Sequence, residues 1–284
     1  MVRTWWRAWA AVQRALAAAL ELVLPSSCAA CHSVAAGPLC GRCRAGVRWA
    51  SREVGPAGPR PPPRGMPACW AGARFEGALR LTVTAYKDEG RRDLRDELAR
   101  LLGSALTAAV ADPALRRRLA LGEQVLVVPV PTAGTSRRRR GDDPVADLAH
   151  AATAAADVVR PATAVQRTRR RVDRVARRRP GLVVVPALSH TRRVADQAHL
   201  DRRSRARNLA GSMAVGAAWR GVVQGATCVV VDDVVTTGAT LAEAARALHD
   251  AGAAHVVAAT CATTPRRATD PPLWPPRPQT SVIA

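Results

Sequence analysis

Two constellations of residues in this 284-residue chain have the types and spacing that do chemistry. The first is "CVVVDDVVTTGATL" at residues 228–241, where β-formers run into Asp232 and Asp233 and a hydroxyl- and glycine-rich turn follows. Val229 to Val231 predict a central strand that delivers both carboxylates to the carboxyl edge of a sheet, the edge where α/β folds bind ligands. Thr236, Thr237, Gly238, Ala239 and Thr240 then open a helix. Their backbone N–H groups, the helix dipole and three hydroxyls can wrap a phosphate dianion, and Gly238 lets the backbone approach it closely. Carboxylates touching that phosphate would repel it, so they must address another part of the same ligand. Vicinal ribose hydroxyls, which donate to carboxylates, lie at a suitable distance from a 5-phosphate.

The second constellation is Cys28, Cys31, Cys40 and Cys43, two CxxC pairs separated by eight residues. Paired thiolates at this spacing bite one tetrahedral cation, and the second pair closes the site with no open position for catalysis, which predicts a structural Zn²⁺. A redox dithiol or unrelated buried cysteines would share the pattern. His32, beside Cys31, is a weaker competing ligand. Cys69, Cys228 and Cys261 lie in apolar strand contexts and read as inert buried thiols.

The elements that must position these groups alternate along the chain. "CWAGARF" from Cys69 suggests a strand, and Leu94, Leu98, Leu101, Leu102 and Leu106 have helical spacing. "EQVLVVPVPTAG" is a buried strand that ends in a loop, and residues 144–158 fit a helix with Pro144 in its first turn. "GLVVVPAL" reads as one more strand and "LDRRSRARNL" as a short basic helix. Residues 227–231 are a strand, 239–250 a helix and 255–260 a final strand. This alternation predicts an α/β domain over 69–264 with a parallel central sheet. Before it stand a four-cysteine zinc module at 25–50 and, at 51–68, a linker whose "SREVGPAGPRPPPRGMP" holds six prolines and three glycines. The last twenty residues, 265–284, carry six prolines and are expected to be disordered.

Residues 1–24 begin basic and turn apolar, but Arg14 and Glu21 interrupt the run, which makes a poor export signal. Trp5, Trp9, Val12, Leu16, Leu20 and Val23 instead form one apolar stripe on a docking helix. With no export signal or transmembrane span recognised, a cytoplasmic setting is expected, where cysteines serve as metal ligands more often than as disulfides. The net charge is +21, from 43 basic and 22 acidic residues, and Lys87 is the only lysine. Such an excess implies polyanionic partners, nucleic acid or phosphorylated metabolites, with a merely solvated basic surface as the bland alternative.

"VVVDDVVTTGAT" resembles the 5-phosphoribosyl-1-pyrophosphate (PRPP) signature of type I phosphoribosyltransferases, in which the acidic pair holds the ribose 2- and 3-hydroxyls and the following loop holds the 5-phosphate. Together with the four cysteines, "YKDEGRRDL" (86–94), "VVPVPT" (127–132), "RRRRGDD" (137–143) and "QAHLDRRSRARNL" (197–209), it resembles the ComF family of phosphoribosyltransferase-like proteins over roughly residues 25–264. The resemblance implies a type I phosphoribosyltransferase fold behind a zinc module, PRPP with Mg²⁺, and a link to natural competence, the uptake of single-stranded DNA, with a competence helicase as a partner. It makes Pro129, Val130, Pro131 and Thr132 the loop facing pyrophosphate. Gln197, Leu200, Arg205 and Asn208 match the family's hood segment, and Arg140 lies among the anion contacts. The chain departs from the family at Arg140-Gly141-Asp142-Asp143-Pro144, where many members have Arg-Gly-aromatic-Asn-Gln, and residues 166–180, with eight arginines, form an extra loop.

Two functions follow from these expectations. In one, Asp232 and Asp233 orient the ribose for displacement at C1 while the loop near residue 130 receives pyrophosphate and the hood excludes water. In the other, the chain is a non-catalytic single-stranded-DNA-binding competence protein whose PRPP pocket is regulatory or vestigial. Its arginine clusters at 137–140, 167–179 and 202–207 would supply salt-sensitive affinity for phosphate backbones.

Overall fold

A computed structural model describes residues 27–132, 143–156, 181–191 and 209–264. The N-terminal stripe, the arginine-rich segment, nearly all of the basic helix near residue 205 and the C-terminal tail lie outside the described residues.

Chain order gives α1 (Gly41–Ala50), β1 (Gly55–Pro56), β2 (Cys69–Ala71), α2 (Gly77–Asp88), α3 (Arg95–Ala109), α4 (Pro113–Ala120), β3 (Gln124–Pro129) and α5 (Pro144–Ala155). There follow β4 (Gly181–Val184), β5 (Leu188–His190), β6 (Met213–Val215), α6 (Arg220–Val223), β7 (Thr227–Val235), α7 (Ala239–Asp250) and β8 (His255–Thr263). Six strands make one sheet in the order β1-β2-β8-β7-β3-β4. Every pairing from β2 to β4 is parallel, and only the edge pair β1–β2 is antiparallel. β5 and β6 pair antiparallel in a sheet of their own.

The strand sequences explain the burial. A parallel sheet is covered on both faces, so its strands read as continuous Val/Ala runs, and their period of two sends alternate residues to opposite sides. Val125, Val127, Val229, Val231, Val257 and Ala259 join a core built with Leu98, Leu102 and Leu106 of α3 and Leu148 of α5. Leu126, Val128, Cys228, Val230, Val256 and Ala258 join a second core with Leu241, Ala244 and Leu248 of α7. An α/β fold with a mostly parallel central sheet behind a four-cysteine cluster is thus what the chain forms. Cys28, Leu39, Cys43 and Val47 share the first core, so the cysteine module packs directly on the domain.

Several boundaries differ from the sequence reading. β7 continues past Val231 to Val235 because β8 runs on to Thr263 and pairs Val234 with Ala262 and Val235 with Thr263. "GLVVVPAL" is two strands in two sheets, since Pro186 cannot donate a ladder hydrogen bond. The helix that opens at Pro144 ends at Ala155. The proline-rich stretch 51–68 carries β1, whose Pro56 is tolerated on an edge strand, and Ala57 N–H donates to the Cys69 carbonyl at 2.8 Å. Gly72 ends β2 against α3: a Cβ there would lie 2.0 Å from the Leu101 carbonyl oxygen. Among the described residues no single helix is long and apolar enough to cross a membrane.

Candidate functional site

The site assembles at the carboxyl ends of β7 and β3. Pro129 pairs with Val231, and the Val130 N–H donates to the Val231 carbonyl at 2.9 Å. The Pro129-Val130-Pro131 turn therefore leaves the sheet beside Asp232. Thr132 hydroxyl donates to Asp143 at 2.9 Å, and Asp143 also caps α5 by accepting from the Ala146 N–H at 3.3 Å. Thr132 is thereby tied to the start of the next helix.

Period two places the two carboxylates on opposite faces of β7. Asp233 shares the face of Val231 and is buried, while Asp232 is half-buried on the face of Val230. Asp232 accepts from the Asp233 N–H at 2.8 Å, and Asp233 accepts from the Val234 N–H at 2.7 Å. Lys87, near the end of α2, places Nζ 2.8 Å from Asp233 Oδ2. Loss of water, and then repulsion from Asp233, push the Asp232 carboxyl up to about 8, with Lys87 pulling the other way. Lys87 is raised, first by the attraction of Asp233 against the opposing effect of burial.

Thr236, Thr237 and Gly238 form the turn after β7. Gly238 has φ 74° and ψ 0°, the left-handed region that an L side chain avoids, and it stands at the N-cap of α7. Its carbonyl accepts the first helical hydrogen bond, from the Ala242 N–H at 2.9 Å, and Thr237 hydroxyl accepts from the Ala239 N–H at 3.4 Å. Thr240 lies in the first turn of α7. Loop, dipole and pair thus meet at one strand end, with room defined by the proline-rich segment: a Cβ on Gly238 would sit 2.4 Å from Met66 Sδ and 3.2 Å from Pro63 Cγ.

The β5–β6 hairpin stands over the turn that follows β3. His190 Nε2 lies 3.0 Å from the Pro131 carbonyl, an acceptor, so Nε2 carries the hydrogen. From the other side, Glu243 on α7 accepts from the Met213 N–H at 2.9 Å, and Arg246 donates to Glu243 and to the Met213 carbonyl at 2.8 Å. Burial opposes ionisation of Glu243, but Arg246 and the backbone donors outweigh it and lower its pKa. Gln197, Arg205, Asn208 and Arg140 lie outside the described residues.

The four cysteine sulfurs lie within 4.8 Å of one another, with Cys31 and Cys40 Sγ 3.7 Å apart. Tetrahedral zinc with Zn–S of about 2.3 Å separates its sulfurs by about 3.8 Å, so the four thiols fit one such ion. Cys40 accepts from the Cys43 N–H at 3.5 Å, and the Ser33 hydroxyl at 3.0 Å from Cys31 Sγ draws that thiol down to about 6. The cluster consists of cysteines alone, without His32. Cys69, Cys228 and Cys261 are buried, and burial raises all three thiols.

Residues that the sequence did not assign to the site are Lys87, His190, Met66 and the Glu243–Arg246 pair. Only Lys87 had a visible signal, as the one lysine of a chain otherwise using arginine. Residues 187–274 match the family model described as a phosphoribosyl transferase domain. The match takes in the β5–β6 hairpin, the acidic pair, the glycine turn, α7 and β8, and begins after β3. No curated protein matches the chain.

Proposed function

We propose that the chain binds PRPP with Mg²⁺ and transfers its phosphoribosyl group, as a ComF-type phosphoribosyltransferase-like protein of the cytoplasm. The observation that carries the reading is the left-handed Gly238 turn at the head of α7, one strand end away from two adjacent carboxylates, inside the matched domain. In this reading the N–H groups of Thr236–Thr240 hold the 5-phosphate, while Asp232 and Asp233 accept from the ribose 2- and 3-hydroxyls. The turn at Pro129–Thr132 faces pyrophosphate, and Arg140, Gln197, Arg205 and Asn208 complete the hood and its anion contacts.

The chemistry asked of these residues is positioning. The bond from C1 to pyrophosphate breaks with its electron pair leaving on oxygen, a bond from C1 to an acceptor nitrogen or oxygen forms, and the acceptor loses a proton. The donor set at the strand ends is carboxylate, hydroxyl and carbonyl oxygen, which suits a hard cation, and Mg²⁺ supplies neutralisation of the leaving pyrophosphate. Cys28, Cys31, Cys40 and Cys43 hold a structural Zn²⁺ that fixes the module against α2. Pyrophosphate release from PRPP, measured with a panel of bases and amines, tests transfer. Release that requires one acceptor supports it, and none with any acceptor reduces the chain to a PRPP-binding protein.

The charge of +21, with clusters at 137–140, 167–179 and 202–207, supports single-stranded DNA as a second partner. Affinity for a mixed-sequence oligonucleotide should fall steeply with salt, and a flat response counts against backbone binding.

A further inference from the structure

Lys87 reaches the acidic pair from an element held in place on several sides. Its neighbour Tyr86 donates through its hydroxyl to the Pro144 carbonyl at 3.2 Å, and Arg92 donates to the Tyr86 carbonyl at 3.1 Å. Arg91 reaches the Ser27 carbonyl at 3.1 Å, tying the turn after α2 to the cysteine module. The end of α2 is therefore fixed on the face of β7 that carries Asp233. There an ammonium whose side chain is 53% exposed meets a carboxylate whose side chain is 9% exposed, at 2.8 Å.

The residue type matters as much as the place. Arginine presents a planar fork that clamps carboxylates through two oxygens and carries its charge over a wide plane. A lysine ammonium is a compact point charge that can sit against one oxygen and leave the others open to accept. In this chain every other basic residue is arginine, and the exception stands at the pair.

We infer that Lys87 is a positioning residue for the sugar-binding pair, its ammonium holding Asp233 turned so that both carboxylates accept ribose hydroxyls. The inference rests on the PRPP reading for its function, though not for its electrostatics. Among the described residues, the groups facing the pair are Lys87 with its neighbour Asp88 on α2, Cys69 on β2 and Cys261 on β8. Both thiols are raised by burial, to about 12 for Cys69, and stay neutral near pH 8. The positive charge facing two adjacent carboxylates is then that of Lys87, which draws the Asp232 carboxyl down, and without it Asp232 holds its proton more tightly. A protonated carboxyl has lost one acceptor site for a hydroxyl, so PRPP binding must compete with that proton.

The test is a calorimetric titration of PRPP–Mg²⁺ from pH 6.5 to 9.5 for wild type, Lys87→Met, Lys87→Gln and Lys87→Arg, with thermal unfolding to show that each is folded. Lys87→Met and Lys87→Gln should bind about tenfold more weakly at pH 7.5, one pK unit of proton competition, and recover at the alkaline end. Lys87→Arg should keep the wild-type pH midpoint. In parallel, the aspartate side-chain carboxyl ¹³C signals titrated by NMR should show proton release from the pair moving upward in Lys87→Met. Superimposable affinity profiles for wild type and Lys87→Met overturn the inference while leaving the PRPP reading intact. Wild type that does not bind PRPP overturns that reading and the functional role with it, and an unmoved carboxyl titration overturns the electrostatic role separately.

Discussion

Replacing Gly238 by alanine perturbs the candidate phosphate turn at its most constrained point. The residue holds φ 74°, where an L side chain costs about 1–2 kcal/mol. The new Cβ would also lie 2.4 Å from Met66 Sδ, 3.2 Å from Met66 Cε and 3.2 Å from Pro63 Cγ. Met66 presents the far end of a flexible side chain and can swing away for about 1 kcal/mol, whereas the Pro63 ring must shift with its backbone. Together these give a loss of about 2–3 kcal/mol, which in a domain of this size lowers Tm by about 4–12 °C. Thermal unfolding followed by circular dichroism at fixed pH measures the loss, and the Gly238→Ala/Met66→Ala double variant should recover about 1 kcal/mol of it relative to Met66→Ala alone. A Gly238→Ala protein as stable as wild type would refute the left-handed turn. Failure of Met66→Ala to relieve the loss would refute the packing of the proline-rich segment on the turn.

Three further outcomes follow from the same structure. Gly72→Ala drives a Cβ to 2.0 Å from the Leu101 carbonyl oxygen, a backbone atom, so the soluble yield and cooperative unfolding should be lost or stability should fall by at least about 3 kcal/mol, read by urea titration. Cys28→Ser should remove about one zinc per chain by metal analysis and loosen the turn after α2, which Arg91 ties to Ser27 of the module; a metal-free wild type that remains fully folded would contradict the zinc assignment. Asp232→Asn should stabilise the fold increasingly as pH rises. The Asp232 carboxyl titrates at about 8 in the fold and at about 3.9 in an unfolded chain. Because the folded value is the higher one, its contribution is fully present below about 3.9 and is lost as pH climbs through about 8. Asparagine does not ionise, so the variant's stability relative to wild type should rise across that window, by at least about 1 kcal/mol, and a constant difference would refute the desolvated, Asp233-repelled state of the Asp232 carboxyl.

What the sequence made legible was local. The Val runs of β3, β7 and β8 read as strands because a parallel sheet buries both of their faces, and the glycine turn ahead of α7 announces itself by residue type. The extension of β7 to Val235 was hidden, since it depends on β8 supplying Ala262 and Thr263 as partners. The proline-rich stretch looked like a tether, yet Pro56 fits an edge strand and Met66 reaches Gly238, contacts that composition cannot express. Lys87 lies in "YKDEGRRDL", but its meeting with Asp233 depends on where α2 ends in space. His190 gave no signal, because its role is to bridge a hairpin to the Pro131 carbonyl across separate sheets.

The account stands on one ligand site, carboxylates for a sugar and backbone amides for its phosphate. Its most direct test is a calorimetric titration of PRPP with Mg²⁺ into wild type and the Asp232→Asn/Asp233→Asn variant. Saturable binding to wild type, lost or weakened at least about a hundredfold in the folded variant through the missing charge-assisted hydrogen bonds, is the predicted result. Equal affinity in both proteins, or no binding to wild type, would contradict it.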